Sequence, residues 1–205
     1  MQDVTAQTSE AAEPEDLAAV LRLVGAAERR RPGGTLVIAI DGPSGSGKTV
    51  LGDAVAAELG AAVVHLDELY PGWDGLVAGV GMLTTHVLEP VARGEAPAYP
   101  VWDWDRSTWG PTRTLTTGRH LVVEGCGSTV GAAGRLAHVR VWVEAPPDLR
   151  RARGIARDGE VFRPHWERWA AQEEELFAAD GTRDRADLLI DTGPADKADA
   201  GATRA

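Results

Sequence analysis

Five short runs of consecutive apolar residues recur along the chain, and segments with helical periodicity lie around them. Runs of this kind, rich in valine, leucine and isoleucine, are typical of strands that are buried on both faces of a parallel sheet. They predict strands at residues 35–40, 62–66, 120–124, 139–143 and 186–190. Because strands and helices alternate, the sequence predicts an α/β fold of three layers, with helices on both faces of a mostly parallel sheet.

Apolar residues at intervals of three and four predict five helices. In the first of them Leu17, Val20, Leu21 and Val24 share one face, and the segment that begins at Pro32 ends the helix. The predicted helices cover residues 16–30, 49–59, 76–93, 148–157 and 164–179. Each is long enough to cover part of a sheet.

Two polar segments bound the predicted domain. Residues 1–15 and 193–205 lack a periodic apolar face, which predicts disordered tails. Residues 34–192 contain no internal repeat and no linker, which predicts a single domain at residues 16–192. Within it, residues 94–119 are rich in proline, tryptophan and threonine, which predicts a loop that could contain a hairpin.

A glycine-rich segment follows the first predicted strand and precedes a predicted helix. It reads GPSGSGKT and matches the pattern G-x-x-x-x-G-K-[ST] of a phosphate-binding loop, or P-loop, in full. Glycines let the backbone wrap round phosphates, and the helix N-terminus supplies positive potential. The predicted nucleotide-binding residues are Gly42, Pro43, Ser44, Gly45, Ser46, Gly47, Lys48 and Thr49.

The last two residues of this loop carry the most specific chemistry. Lys48 is one of only two lysines in the chain, against nineteen arginines. Its ammonium group is expected to reach the β- and γ-phosphates, and the Thr49 hydroxyl to bind Mg²⁺. The sequence therefore predicts a P-loop NTPase fold for the domain at residues 16–192, with ATP and Mg²⁺ as cofactors.

The composition excludes several classes of protein. The net charge of −10 disfavours general binding to nucleic acid, and the chain has no asparagine for the N-K-x-D element with which signalling GTPases read guanine. Cys126 is the only cysteine, so no disulfide framework can form. We found no signal-peptide pattern and no apolar stretch of about 20 residues, which predicts a cytoplasmic protein without a membrane partner.

The segment HLDELY at residues 65–70 resembles the D-x-F-Y element of the uridine kinase family, which belongs to a group with phosphoribulokinase and bacterial pantothenate kinase. The resemblance covers about residues 35–192. It implies that Asp67 is the base that faces the acceptor hydroxyl, close to the metal, and that Tyr70 contacts the substrate. Independently of the family, a carboxylate at the end of a strand beside the P-loop is well placed to orient a hydroxyl.

A second segment, YPVWDWDR at residues 99–106, looks like the family's Y-D-F-x-x-H-x-R element. Trp102, Asp103 and Trp104 occupy its first three positions, which implies that they contact the substrate. The sequence departs from the family at Ser107, where a base-reading histidine is usual, and at Trp109, where an arginine is usual.

Two further elements complete the resemblance. Glu124, at the end of an apolar strand, is similar to the family's E-G element, which implies that it holds Mg²⁺ together with Thr49 and Asp67. Arg150, Arg153 and Arg157 resemble the arginines of the family's lid, with Gly154 where the family has another arginine.

Spacings of three and four place these arginines on one helix face, where guanidinium groups could neutralise the transferring phosphoryl group. The resemblance implies nucleotide binding for Arg150 and catalysis for Arg153 and Arg157, beside Lys48 and Asp67.

The predicted function is a kinase for the hydroxyl group of a small molecule, with a uridine- or cytidine-like nucleoside favoured. A sugar, a polyol or a nucleoside monophosphate remains an alternative acceptor, and a regulatory protein with weak ATPase activity remains an alternative function. The sequence leaves the oligomeric state open. The acidic run Glu173–Glu175 is predicted to be a solvated helix face, and Cys126 is predicted to be a small buried residue and not a nucleophile.

Overall fold

The structure is a computed structural model that describes residues 11–194. The strands are β1 (Leu36–Asp41), β2 (Ala62–His65), β3 (Ala98–Asp103), β4 (Thr108–Thr114), β5 (His120–Glu124), β6 (Val139–Glu144) and β7 (Leu188–Asp191). The helices are α1 (Pro14–Arg30), α2 (Lys48–Leu59), α3 (Leu76–Met82), α4 (Glu89–Ala92), α5 (Gly131–Leu136), α6 (Pro147–Phe162) and α7 (Trp166–Asp180).

Five strands form one parallel sheet in the order β2-β5-β1-β6-β7, as the apolar runs predict. The pairing register places Ile40 beside Glu124, and His65 on the other side of Glu124. The carboxyl ends of β1, β2 and β5 therefore meet at one edge of the sheet, where ligands bind in open α/β folds.

The sheet separates two apolar cores, which confirms the three-layer architecture. Val37 and Ala39 of β1 pack into one core, and Leu36, Ile38 and Ile40 pack into the other. This alternation follows from the period of two in a strand. Helices α1 and α2 cover the second core, and residues from α3 to α7 cover the first.

Several helix boundaries differ from the prediction. Helix α1 begins at Pro14, two residues earlier than predicted. The predicted helix 76–93 is a succession of α3, a π-helical segment at Leu83–Leu88 and α4. Pro90 has no N–H to donate within a regular helix, and the wider π-helical turns precede it. Helix α5 was not predicted, because this short segment of glycine and alanine has no apolar period.

Helix α6 continues five residues beyond its predicted end and contains a kink. The kink lies at Gly159, whose φ of 62° is in the region that favours glycine. In residues 94–119, strands β3 and β4 form the hairpin, and Ser107 in its turn has a φ of 50°. A bulge shifts the register between Pro100 and Trp102.

None of the helices within residues 11–194 is long and apolar enough to span a membrane. Most of the two predicted tails, at residues 1–10 and 195–205, lies outside the described residues, so disorder there stays a prediction. Cytoplasmic location likewise stays a prediction.

Candidate active site

Glycines give the phosphate loop its shape. Gly42, Gly45 and Gly47 have φ angles of 139°, 76° and 96°, a region that other residues rarely adopt. A Cβ atom at Gly42 would lie 2.0 Å from the carbonyl oxygen of Val143, and one at Gly45 would lie 2.1 Å from that of Arg150. The loop is therefore packed tightly between β6 and the start of α6, and side chains at these positions would push it out of place.

The loop presents groups that suit a polyphosphate. Lys48 is buried, and its Nζ donates to the Pro43 carbonyl oxygen at 2.9 Å. Burial alone would lower the pKa of Lys48, but the neighbouring carboxylates of Glu173, Glu124 and Asp41 raise it, so the lysine is held as a cation. The buried Ser46 hydroxyl has no partner, and Gly47 supplies no side-chain cap to the N-terminus of α2.

Oxygen ligands for a divalent cation lie next to the loop. The Thr49 hydroxyl donates to Glu124 at 3.2 Å, which brings together two of the three predicted metal ligands. His65 bonds the other carboxylate oxygen of Glu124 at 2.7 Å, and this bond raises the pKa of His65. Within residues 11–194 no three His, Cys, Asp or Glu side chains form a metal-binding cluster.

Asp67, the predicted base, follows β2 in a short 3₁₀ turn, where its side chain is accessible from a cavity of about 330 Å³. The other lining residues are Ser44, Tyr70, Trp73, Trp104, Arg157, Asp158, Val161, Phe162 and Trp169. Desolvation by the surrounding protein raises the pKa of Asp67, and the negative charge of Glu124 raises it further. The positive charges of Arg157 and Lys48 act in the opposite direction. A carboxylate with a raised pKa accepts a proton more readily than an ordinary aspartate.

The predicted lid arginines leave α6 towards three different places. Arg150 donates to the Ser44 carbonyl oxygen of the phosphate loop at 3.2 Å. Arg153 donates to the hydroxyl of Thr192 at 2.9 Å and lines a separate cavity beside Gly47. Only Arg157 lines the Asp67 cavity.

Arg157 is bonded in that cavity to Asp158 through both Nε (2.8 Å) and Nη2 (2.7 Å). The structure thus brings Arg157, and not Arg150 or Arg153, to the predicted base.

The predicted substrate residues other than Asp67 line two different cavities. Trp104 donates its indole N–H to the Asp67 carbonyl oxygen at 2.9 Å, and Tyr70 donates its hydroxyl to the carbonyl oxygen of Cys126 at 2.8 Å, so both are fixed in the cavity wall. Trp102 and Asp103 instead line a cavity on the β3–β4 hairpin. The structure therefore does not bring these two residues to Asp67.

Trp102 and Asp103 have local partners in the hairpin. Trp102 packs edge-on against Trp109 with a ring-centroid distance of 5.1 Å. The Asp103 carboxylate accepts from the backbone N–H of Arg106 at 2.9 Å and so closes the hairpin turn.

The prediction that Glu173 is solvated is wrong. Its side chain is buried, and one carboxylate oxygen accepts from the Ser44 N–H at 2.8 Å and from the Ser44 hydroxyl at 2.7 Å. The Cys126 thiol donates to the same oxygen at 3.0 Å, and burial raises the pKa of this thiol. Cys126 is therefore buried, as predicted, and the raised pKa makes its thiol poorly suited to nucleophilic chemistry.

Asp41, the last residue of β1, is a buried carboxylate that sequence reasoning missed. Its Oδ1 accepts from the N–H groups of Gly42 and Gly127, and its Oδ2 accepts from the N–H and hydroxyl of Thr129, all at 2.7–2.8 Å. It fixes the start of the phosphate loop to the segment after β5. An aspartate directly before the first loop glycine was the available signal.

We expect Asp41→Asn to destabilise the fold by about 2–4 kcal/mol, because the amide replaces an acceptor with a donor that faces buried donors. Chemical denaturation measures the change. The matched control is Asp105→Asn, an exposed aspartate on the hairpin, for which we expect a change within about 0.5 kcal/mol. Equal stabilities of the two variants would contradict the assigned role of Asp41.

No protein-family model matches the chain, and no curated protein matches it. Several solved structures do match the chain. A possible uridine kinase from Bacillus stearothermophilus is 19% identical with a TM-score of 0.58, over 85% of this chain and 100% of that one. A proposed fructose transport system kinase from Silicibacter sp. TM1040 is 23% identical with a TM-score of 0.59, over 84% and 98%. At these identities the similarity establishes the fold alone, which is the three-layer α/β P-loop fold with a mostly parallel sheet.

Proposed function

We propose that the protein is an ATP-dependent kinase that transfers the γ-phosphoryl group of ATP to a hydroxyl group of a small molecule. The observation that carries the proposal is the cavity shared by Asp67, Arg157 and Ser44. It joins a carboxylate with a raised pKa, a guanidinium group and a residue of the phosphate loop. A base, a cation and a phosphate site that meet at one cavity are the parts that phosphoryl transfer requires.

The loop residues fit Mg·ATP. The cation of Lys48, the partnerless hydroxyl of Ser46 and the uncapped start of α2 suit negatively charged phosphate oxygens. The hydroxyl of Thr49 and the carboxylate of Glu124 are hard oxygen ligands of the kind that Mg²⁺ takes, usually with several waters. Bound Mg²⁺ would neutralise charge on the phosphates.

The reaction forms a bond between the acceptor oxygen and the γ-phosphorus and breaks the bond between that phosphorus and the ADP oxygen. Asp67 orients the acceptor hydroxyl and takes its proton. Lys48 and Arg157 compensate the charge on the transferred group and on the leaving phosphate. Because the transition state is loose, catalysis depends mainly on this positioning.

The cavity walls favour an acceptor with a flat ring. Trp73 stacks on Phe162 with an interplanar angle of 11° and a ring-centroid distance of 5.3 Å, and tilts against Trp104 at 4.7 Å. Aromatic faces bind flat rings by stacking and by burial of apolar area. A pyrimidine nucleoside is therefore the first candidate acceptor, and a sugar or polyol is the alternative, which the similar fructose transport system kinase makes worth testing.

The experiment is coupled ADP release from Mg·ATP against uridine, cytidine, other nucleosides, nucleoside monophosphates, pantothenate, fructose and other simple sugars. A kinase makes ADP in a fixed ratio to phosphorylated acceptor, which mass spectrometry identifies. If ADP forms slowly at the same rate whatever is added, the protein is a nucleotide-binding regulator, and the proposal of a kinase is overturned.

We expect Trp104→Ala to raise KM for the active acceptor about tenfold, because the acceptor loses one face of its cavity, with a smaller effect on KM for ATP. Steady-state kinetics in both substrates measure the change. Trp109→Ala is the matched control, since this tryptophan lies on the same hairpin but not in the cavity wall. Parallel losses in both variants would indicate that the hairpin acts only through folding.

A further inference from the structure

Glu173 is a buried charge in an otherwise exposed stretch of helix. It is 2% exposed, whereas the next two residues, Glu174 and Glu175, are exposed. Removing a carboxylate from water costs several kcal/mol unless strong donors compensate. The free-energy cost of burying Glu173 requires a physical explanation, because the proposed reaction does not use this residue directly.

The donors to Glu173 come from separate parts of the chain. Its Oε1 accepts from the backbone N–H and the hydroxyl of Ser44, from the thiol of Cys126 and, at 2.7 Å, from the indole N–H of Trp169. Its Oε2 lies 3.9 Å from a guanidinium nitrogen of Arg150, which also donates to the Ser44 carbonyl oxygen. Thus every backbone and side-chain polar group of Ser44 is bonded to Glu173, Arg150 or Cys126.

Ser44 is the third residue of the phosphate loop and also lines the Asp67 cavity. The loop is rich in glycine, and glycine loses the most conformational freedom on ordering. A loop whose third residue is already fixed has less entropy to lose when phosphates bind, which strengthens binding without a new contact.

We propose that Glu173 is a positioning residue that holds Ser44 and thereby pre-organises the phosphate loop for nucleotide. This inference rests on the proposed nucleotide-binding function. Glu173 acts through Ser44 and touches no reacting atom. Because Trp169 lies in the wall of the acceptor cavity, the same carboxylate also joins the loop to that wall.

The test is the affinity of Glu173→Gln for Mg·ADP, measured by isothermal titration calorimetry. Glutamine keeps the shape and one acceptor oxygen, but it removes the charge and turns an amide towards the cation of Arg150. We expect Kd for Mg·ADP to rise about tenfold, or about 1.4 kcal/mol. Glu174→Gln, the exposed neighbour, is the matched control and should leave Kd and the melting temperature unchanged.

A second variant, Ser44→Ala, removes one of the two bonds with Glu173, and we expect it to raise Kd about threefold. If Glu173 acts through Ser44, the double variant should bind no more weakly than Glu173→Gln, because the effects of residues in one network are not additive. This variant keeps the inference testable if Glu173→Gln does not fold.

Three results would overturn the inference. A lower melting temperature with an unchanged Kd would make Glu173 part of the core alone. Tighter binding by Glu173→Gln would show that the carboxylate repels phosphate more than it orders the loop. Additive effects in the double variant would separate Glu173 from Ser44. By contrast, a wild-type protein that binds Mg·ADP but phosphorylates no acceptor would remove the proposed kinase function and leave this inference standing.

Discussion

Asp67→Asn should lower kcat by about 10²–10⁴-fold, while the affinity for Mg·ADP changes by less than about threefold. Asparagine keeps the size of the side chain, but it can neither take the proton of the acceptor hydroxyl nor orient that hydroxyl with a charge. The nucleotide contacts assigned to Lys48 and the loop glycines do not involve this carboxylate. We therefore expect the loss of activity to appear in kcat. Rapid-quench or steady-state kinetics distinguish a lower kcat from weaker binding.

The pH profile gives a second measurement of the same role. The pKa of Asp67 is raised by its protein surroundings and by Glu124, and Asp67 must be ionised to take a proton. Activity of the wild type should therefore fall as the pH falls through this raised pKa, and the Asp67→Asn profile should lose that acid limb. Asp74→Asn is the control, because Asp74 is largely exposed and pairs with Arg168 on the surface. Equal losses in kcat and in nucleotide affinity would make Asp67 a metal ligand alone.

The parts of the site that are contiguous in sequence could be predicted. The phosphate loop is one eight-residue segment, and the positive φ angles of its glycines are a local requirement that the sequence pattern records. The sheet could be predicted for a similar reason, since strands buried on both faces read as continuous apolar runs. Because successive side chains of a strand point to opposite faces, an entirely apolar β1 contributes residues to both cores.

Apart from Tyr70 and Trp104, the aromatic wall of the cavity could not be predicted, because it is assembled from separate elements. Phe162 and Trp169 come from α6 and α7, Trp73 from the segment before α3, and Trp104 from the residue after β3. Trp102 lies only two residues before Trp104, but it is inside the hairpin next to the bulge. A bulge redirects side chains locally, which a one-dimensional pattern does not record.

Glu173 shows the same limit for charged residues. Three consecutive glutamates on a helix read alike in sequence, and only the packing of α7 against the phosphate loop distinguishes the first of them. The weak local signal was Trp169, one helical turn earlier, whose indole N–H can reach a carboxylate four residues later. The same limit applies to Arg150, Arg153 and Arg157 of α6. Their helical spacing predicted a common face, but it could not predict that each of them contacts a different partner.

Lys48→Ala should reduce phosphoryl transfer to the background rate, a loss of about 10³-fold or more. Lys48 is the cation that the loop holds in place, and its removal takes away the positive charge that faces the phosphates and that offsets part of the charge of Glu173 and Glu124. Mg·ADP affinity should also fall, in contrast to the effect of Asp67→Asn. Lys48→Met separates charge from packing, since it keeps an apolar stem of similar length in this buried position. If Met restored transfer, or if Lys48→Ala remained active, the charge of Lys48 would not be needed, and the phosphate site would have to lie elsewhere.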